Sequence, residues 1–402
     1  MSQPFLPYGR QVIEDDDIAE VVRVLRSDYL TTGPEVPAFE QAFAAAVGAR
    51  HAVACANGTA ALHLIAVAAG LGPGTIAVVP TLTFLATASA VRLAGGDVIF
   101  ADVDPDTALM TPGTLRDALQ RANGPVKAVL PVHIGGQTCD LPGLAEIART
   151  AGAEMFEDAC HAIGTRHTTT SGTHRVGDCA YSRACAFSLH PVKTIAAGEG
   201  GVVTTQDDHL ASQLRLLSNH GMVRDATQFT VRSAAFDPHG RPNPWYYEMP
   251  EPGFNYRLTD IQAALARSQL GKLAGFAARR QKLAARYREQ LAPLAPLVRV
   301  VPIAPDCAPV LHLQQILIDF AGLGLDRATV MERMRAAGIG SQVHYVPVHR
   351  QPYYAALNPG LNLPGADAFY ARTLSLPLYA SMIEADVDRV VAALTSALGR
   401  ST

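Results

Sequence analysis

The sequence has no large excess of positive or negative residues and no long hydrophobic run. Its 402 residues include 33 Lys and Arg against 36 Asp and Glu, and 17% of the residues are charged. This balance provides neither the basic patch of a nucleic-acid-binding protein nor a polybasic membrane anchor. The most apolar stretches, 52–70 and 75–94, are interrupted by polar residues, whereas a membrane span needs about 20 unbroken apolar residues. We therefore expect no nucleic-acid partner and no membrane partner.

Cysteine pairs at metal-binding or redox spacing are also missing. The six cysteines are scattered and none forms a C-x-x-C pair, which favours free thiols in a reducing compartment. Residues 1–10 show no charged segment followed by an apolar one, so we expect no signal peptide and a cytoplasmic location. His344 and His349 lack a third nearby ligand, so no metal site is predicted.

Lysine is scarce, with four in the chain: Lys127, Lys193, Lys272 and Lys282. Any reaction that needs an amine nucleophile therefore has four candidates. Lys193 follows a predicted strand, and Glu199 is the only other charged residue in its stretch of sequence. A lysine in this setting is either a surface cap or a desolvated amine whose lowered pKa suits Schiff-base chemistry.

Short β-rich runs alternate with helical patterns between about residues 50 and 205, and the last predicted strands are 179–188 and 201–205. Such alternation predicts βαβ units around a mostly parallel sheet that is covered by helices on both faces. The sequence therefore predicts an α/β fold with a large, mostly parallel sheet.

The pattern changes after this region. A long helix is predicted over 259–292, opened by Thr259 and Asp260, with these apolar residues on one face: Ile261, Leu265, Leu270, Leu273 and Phe276. Strands are predicted at 311–319 and 341–346, with further helices. We expect a large α/β domain over 15–255, a smaller α+β domain over 256–402, and an N-terminal arm, 1–14, packed against the smaller domain.

Asp158 follows an apolar run that ends at Phe156. It should lie at the carboxyl end of a parallel strand, where α/β sheets bind ligands. A carboxylate there can hold a cationic ring nitrogen, and His161 can reach a substituent of that ring. The alternative is a helix N-cap, a common role of Asp after a strand.

The segment Asn57-Gly58-Thr59 lies between a predicted strand and an apolar helix. Glycine allows close backbone approach, Thr59 adds a hydroxyl, and the helix N-terminus offers free N–H groups. These features suit a phosphate site, although a simple capped turn has the same pattern.

Together, these motifs resemble those of fold type I enzymes that use pyridoxal 5′-phosphate (PLP). The chain is also similar to the DegT/DnrJ/StrS sugar aminotransferases along nearly its whole length. The stretches that carry this resemblance are 29–34 (YLTTGP), 57–62 (NGTAAL), 131–140 (PVHIGGQTCD), 157–162 (EDACHA), 187–201 (FSLHPVKTIAAGEGG), 253–263 (GFNYRLTDIQA) and 374–379 (LSLPLY). The resemblance implies the PLP-dependent transferase fold of type I.

The resemblance also implies roles for the residues around the cofactor ring. Lys193 would form the Schiff base with PLP and move the proton, and Asp158 would hold the pyridine nitrogen. His161 would lie beside the ring hydroxyl, and Phe84 would stack on the ring.

The cofactor phosphate would be bound by Gly58, Thr59 and Ser188. The resemblance further implies a homodimer in which Asn255 reaches this phosphate from the neighbouring subunit.

Within the family, the likeness is to the C4 aminotransferases of the pseudaminic acid pathway, on the stretches 7–10 (PYGR), 188–194 (SLHPVKT), 245–249 (WYYEM) and 342–349 (QVHYVPVH). This likeness implies amino transfer from L-glutamate to C4 of a UDP-linked 4-keto-6-deoxy-N-acetylhexosamine. The implied substrate contacts are Thr32, His190, His344 and Tyr345.

Three alternatives accompany this interpretation. One is an aminotransferase of the same family that acts on another nucleotide-linked keto sugar. A sugar dehydratase of the family is disfavoured because it replaces the lysine, and Lys193 is present. A non-catalytic PLP-binding regulator should carry a DNA-binding module, for which we expect no room in residues 1–20.

Overall fold

The computed structural model describes residues 4–400. Within this range the α-helices are α1 Asp15–Leu25, α2 Glu35–Val47, α3 Gly58–Ala68, α4 Leu85–Leu93, α5 Pro112–Gln120, α6 Leu141–Thr150, α7 Asp208–Ser218, α8 Arg232–Ala235, α9 Asp260–Gly271, α10 Leu273–Leu291, α11 Phe320–Leu323, α12 Arg327–Ala336, α13 Pro352–Leu357, α14 Pro364–Arg372 and α15 Glu384–Ala397. The strands are β1 His51–Cys55, β2 Ile76–Pro80, β3 Asp97–Ala101, β4 Val126–Val129, β5 Glu154–Asp158, β6 Arg166–Thr169, β7 Gly172–Arg175, β8 Ala184–Ser188, β9 Gly201–Thr205, β10 Val298–Val300, β11 Cys307–Ala308, β12 Gln314–Ile318 and β13 Thr373–Leu376.

A seven-stranded sheet with the order β1-β9-β8-β5-β4-β2-β3 forms the centre of the molecule. Strand β9 runs antiparallel to both of its neighbours, and the pairings from β8 through β3 are parallel. The prediction of an α/β fold with a large, mostly parallel sheet is therefore confirmed.

The alternation of side chains along β1 explains why this sheet is covered on both faces. Val53 and Cys55 belong to one hydrophobic cluster, which includes residues of α3 and α4. Ala52 and Ala54 belong to another, which includes residues of α2 and α9. Successive residues of a strand point to opposite faces, so a strand that is apolar throughout needs a helical layer on each side.

A second, three-stranded antiparallel sheet, β10-β12-β13, lies in the C-terminal part of the chain. Its apolar side chains form a separate cluster with residues of α10, α12 and α15. A third small sheet has the order β11-β6-β7.

The N-terminal segment joins the C-terminal cluster. The amide of Leu6 donates to the carbonyl of Gly338 at 2.9 Å, and the amide of Gly340 donates to the carbonyl of Leu6 at 2.7 Å. The side chain of Leu6 belongs to the C-terminal cluster. Residues 1–3 of the predicted arm, and residues 401–402 of the predicted C-terminal domain, lie outside the described residues.

The prediction of one continuous helix over 259–292 is wrong. Helix α9 ends at Gly271 and α10 begins at Leu273, with Lys272 between them. Thr259 does open α9: its side chain accepts from the amide of Gln262 in a capping box.

The apolar residues predicted on one face of this region are only partly buried. Ile261 and Leu265 are only half-buried, whereas Ala263 and Ala266 are fully buried. Alanine occupies the buried face because α9 packs directly against α1 and α2, and small side chains allow helices to approach closely. Helix α9 follows residue 256 in the chain but packs into the core of the large sheet. The division into two domains at residue 256 therefore stays a proposal.

Two strand predictions also need correction. The run 179–188 forms a strand only from Ala184, since residues 180–183 are bends and Cys179 has a left-handed φ of 55° that departs from extended backbone. The run 341–346 contains only an isolated bridge between Gln342 and Ser375, and the residues after it turn into the wall of a cavity.

None of the helices between residues 4 and 400 combines the length and the apolar composition that crossing a bilayer requires.

Asp260 provides a test of how α9 is attached to the rest of the fold. Its carboxylate is fully buried and accepts from the amides of Gly33 and Glu35, each at 2.8 Å. We expect Asp260→Ala to lower the free energy of unfolding by about 2 kcal/mol, because two buried N–H groups lose their acceptor. Thermal unfolding of the full chain measures this change.

Asp208 is the matched control, since it is also the first residue of a helix but is exposed and pairs with Arg50 at 3.1 Å. Asp208→Ala should lower the free energy of unfolding clearly less than Asp260→Ala does, because exposed ion pairs contribute little to stability. Equal losses in the two variants would contradict the role given to Asp260.

Candidate active site

A cavity of about 640 Å³ opens at the carboxyl ends of the parallel strands. Asp158 ends β5, Ser188 ends β8, and the turn at Asn57 follows β1, so residues distant in sequence meet at one edge of the sheet. This edge is where ligands bind in α/β proteins.

The turn that follows β1 has the features of a phosphate site. The side chain of Asn57 caps α3 by accepting from the amide of Ala60 at 2.9 Å. The first helical amides, at Gly58 and Thr59, have no partner within the helix. A Cβ on Gly58 would lie 2.8 Å from the Cβ of Ser188, so only glycine allows the turn to approach β8 this closely. Thr59 is exposed and, like Ser188, lines the cavity.

Asp158 lies on the floor of the cavity and is 5% exposed. Its Oδ2 accepts from the hydroxyl of Thr87 at 2.7 Å, and its Oδ1 accepts from the amide of Cys160 at 3.1 Å. Thr87 is in turn 2.7 Å from the hydroxyl of Thr83. These contacts fix the carboxylate in one orientation toward the cavity.

Lys193 lies in the same cavity and forms no ion pair within residues 4–400. Burial lowers the pKa of its ammonium, although Cys160 and Asp158 oppose this shift. Part of the side chain remains exposed to the cavity. Lys193 is therefore an amine that a ligand can reach and that loses its proton more readily than an ordinary lysine.

The other three lysines are placed differently. Lys272 pairs with the carboxylates of Glu14, Asp16 and Asp17 at 2.5–2.9 Å, and Lys282 pairs with Glu384 at 2.9 Å. Lys127 is exposed on β4. Glu14, Asp16 and Asp17 form the one acidic cluster of metal-binding size within residues 4–400, and Lys272 occupies it.

His161 lines the cavity and is 7% exposed. Its Nδ1 accepts from the amide of Gly135 at 3.3 Å, and its Nε2 lies 3.2 Å from the hydroxyl of Tyr345. Burial and the nearby Lys193 hold the pKa of His161 well below its ordinary value, so the ring is neutral.

Another part of the cavity wall is formed by Phe84, Tyr345 and His344. The ring of Phe84 is 56% exposed, and its centroid lies 6.0 Å from that of Tyr345. The Nδ1 of His344 is 2.8 Å from the hydroxyl of Ser375, and burial lowers the pKa of His344 to about 3. The wall is thus aromatic and uncharged.

The structure brings most of the predicted site residues to this cavity, including His190. Two are exposed and do not line it: Thr32 in the loop before α2, and Asn255, whose backbone pairs with Asn219. These two can reach a cofactor or substrate only in another copy of the chain or after a rearrangement.

Two residues of the site are not predicted from the sequence: Thr87, which holds Asp158, and His312, which lines the cavity beside His161. Thr83 and Thr87 lie near Phe84 and are four residues apart, and this spacing would place both hydroxyls on one face of a helix. No comparable local signal marks His312.

One cavity is lined by a reachable lysine with a lowered pKa, a buried carboxylate and a glycine-containing turn at a helix N-terminus, which are features of PLP-dependent enzymes. The model of the DegT/DnrJ/EryC1/StrS aminotransferase family matches residues 11–395, and the chain belongs to this family. Aminotransferases of this family use PLP.

Three known proteins show the similarity in detail. The spore coat polysaccharide biosynthesis protein SpsC of Bacillus subtilis is 38% identical over 393 residues, 97% of this chain and 96% of SpsC. DesI, whose structure was determined in the presence of its TDP-sugar product, is 31% identical in sequence to this chain. The two structures superpose with a TM-score of 0.84 over 100% of this chain and 94% of DesI. Helicobacter pylori PseC, an aminotransferase of pseudaminic acid biosynthesis, shares the fold with a TM-score of 0.87 at 24% identity, over 98% and 99% of the two chains.

Lys193→Ala tests whether one lysine carries the chemistry. With PLP present, the variant should fold but form no borohydride-reducible adduct and show no turnover, because the other lysines lie outside the cavity. Mass spectrometry of the reduced protein locates the adduct. Lys127→Ala is the control and should keep both properties, whereas an adduct on Lys127, Lys272 or Lys282 would contradict the assignment.

Asp158→Asn tests the carboxylate. The substitution keeps the shape and one oxygen of the side chain, replaces the other oxygen with NH2, and removes the charge that would hold a ring nitrogen protonated. We expect kcat to fall by about a hundredfold or more, the scale for loss of a main electrostatic stabiliser. Asp140→Asn, at the exposed N-cap of α6, is the control. Activity of Asp158→Asn near that of the wild type would mean that Asp158 serves only as a hydrogen-bond acceptor.

Proposed function

We propose that this protein transfers an amino group from L-glutamate to C4 of a UDP-linked 4-keto-6-deoxy-N-acetylhexosamine, in nucleotide-sugar biosynthesis of the pseudaminic acid type. The observation that carries the proposal is the position of Lys193, without an ion pair, in the cavity whose floor holds Asp158. Membership of the aminotransferase family supports amino transfer, and the shared fold of PseC is consistent with the pathway.

The residues of this chain fit PLP. Gly58, Thr59 and Ser188 would bind its phosphate, and Asp158 would pair with its ring nitrogen, while Phe84 offers an aromatic face. When bound, PLP supplies an electron sink for the bond that is broken at the donor carbon.

Proton transfer falls to Lys193. Because burial lowers its pKa, its Nζ can accept a proton from the Cα of glutamate and deliver it to C4 of the sugar. The carboxylate of Asp158 stays fixed by Thr87 and Cys160 throughout, so its charge is in place before each step.

The cavity wall suits a sugar. His344 and Tyr345 are neutral because burial lowers the pKa of the histidine and raises that of the tyrosine. Neutral groups that both donate and accept hydrogen bonds match sugar hydroxyls, and the cavity size is that of a small-molecule site, about 300–1,000 Å³. His190 and Thr32 remain proposed substrate contacts.

A second candidate is amino transfer to a different nucleotide-linked keto sugar. SpsC, at 38% identity, belongs to spore coat polysaccharide biosynthesis, and DesI, at 31%, was solved with a TDP-sugar product. Both are more similar in sequence to this chain than PseC is. These relatives favour a common reaction with a variable sugar and nucleotide.

A panel of substrates separates the two candidates. Purified protein with PLP and L-glutamate is offered UDP- and TDP-linked 4-keto-6-deoxy sugars, and the aminated products are measured by mass spectrometry. The first candidate predicts the highest kcat/KM for the UDP-linked N-acetylhexosamine. A preference of about tenfold or more for another keto sugar would support the second candidate.

We also propose that the active unit is a homodimer, located in the cytoplasm. The charge of the cavity supports the dimer. Among the residues of this chain that line it, Lys193 is the only Lys or Arg, and Asp158 and Glu199 are both acidic. A cofactor phosphate and a nucleotide diphosphate need further cations and donors, which a second copy can supply. The location is supported by the six cysteines, which are all unpaired.

Asn255 is the residue that we place in the partner's site, and subunit mixing tests it. Inactive Lys193→Ala protein is mixed with inactive Asn255→Ala protein under conditions of exchange. If Asn255 acts in trans, one site of each heterodimer has both native residues, and about a quarter of the wild-type activity should return after random exchange. Absence of recovery despite demonstrated exchange would place Asn255 in the site of its own subunit or outside any site.

A further inference from the structure

His312 is held at the back of the cavity by its own backbone. It lies just before β12, its amide donates to the carbonyl of Gly135 at 2.9 Å, and its carbonyl accepts from Nη1 of Arg280 at 3.2 Å. Its side chain is 5% exposed and lines the cavity. The ring position is therefore fixed by the fold.

The ring of His312 has no hydrogen-bond partner within residues 4–400. Its Nδ1 is buried and unpartnered, and its Nε2 makes no hydrogen bond to the described residues. The nearest ring is that of His161, with 4.4 Å between the centroids and an interplanar angle of 43°. Buried polar groups are nearly always paired, so the buried Nδ1 needs an explanation, and Nε2 is left free for a ligand.

His161 cannot satisfy them, because both of its own nitrogens are engaged. The amide of Gly135 donates to Nδ1 of His161, so the single proton of the neutral ring lies on Nε2. That N–H donates to the hydroxyl oxygen of Tyr345 at 3.2 Å. The contact between His161 and His312 is one of packed rings alone.

The groups around His312 keep it neutral. Burial, together with His161, Lys193, Arg280 and His344, holds its pKa well below the ordinary value. A neutral imidazole has one N–H donor and one nitrogen acceptor, and here both are unused. Anions would gain little from such a group, whereas a hydroxyl, which also donates and accepts, is its match.

We propose that His312 is a further ligand-binding residue of the cavity, which hydrogen-bonds a hydroxyl oxygen of the bound cofactor ring or of the sugar. The proposal rests on the proposed function, which places both groups in this cavity. A ring hydroxyl and a sugar hydroxyl share the chemistry, so the experiment has to distinguish them.

The test compares two buried histidines in the full chain. His312→Phe keeps a flat ring but removes both polar nitrogens. His167→Phe is the matched control, because His167 is 4% exposed, its ring nitrogens are buried and have no partner among residues 4–400, and it does not line the cavity. The readouts are the Kd for PLP, from titration of cofactor-stripped protein, and the KM for the keto sugar.

His312→Phe should raise one of these two constants by about tenfold, as expected for one lost hydrogen bond, while His167→Phe leaves both within about twofold of the wild type. A rise in Kd identifies the cofactor as the partner, and a rise in KM alone identifies the sugar. His312→Gln, which keeps a donor and an acceptor, should recover part of the loss.

The proposal is overturned if both constants of His312→Phe stay within about twofold of the wild type, or if His167→Phe shows the same rise. Absence of turnover by the wild-type protein with every keto sugar would instead contradict the proposed function, and the Kd for PLP alone would then decide the role of His312.

Discussion

The carboxylate of Asp158 is the group on which the rest of the site depends. It ends β5, is clamped by the hydroxyl of Thr87 and the amide of Cys160, and shares the cavity with Lys193. Its neighbour Glu157 points to the other face of the sheet and pairs with His133 at 2.8 Å. Although burial opposes its charge, Glu157 keeps a pKa below the ordinary value because of His133. The strand end is thus anchored on both faces, so the carboxylate of Asp158 is held in place before any ligand arrives.

Much of the fold follows from the sequence because its signals are local. Continuous apolar runs predict strands that are buried on both faces, and the capping pattern at Thr259 predicts the start of α9. The errors arose where distant contacts decide the structure. The helix is interrupted at Lys272, whose side chain pairs with three carboxylates from the N-terminal part of the chain. Ala263 and Ala266 are buried because α9 packs against α1 and α2.

The site was predictable to the extent that its residues lie in short motifs. Lys193, Asp158 and Gly58 each carry a local pattern, and the structure brings them to one cavity. Thr87 and His312 act across 71 and more residues of sequence, through contacts that only the folded chain creates. Asn255 lies in a clear sequence motif, but in the folded chain it lies outside the cavity.

The central claim is that Lys193 and Asp158 form the amino-transfer site of this protein, and a spectrum in the absence of sugar tests it most directly. Protein saturated with PLP is mixed with L-glutamate alone, and the visible absorption band of the cofactor is followed. We expect the band to disappear as the amino group is taken up, and to return on addition of a keto sugar. A band that glutamate leaves unchanged would contradict amino transfer from glutamate at this site.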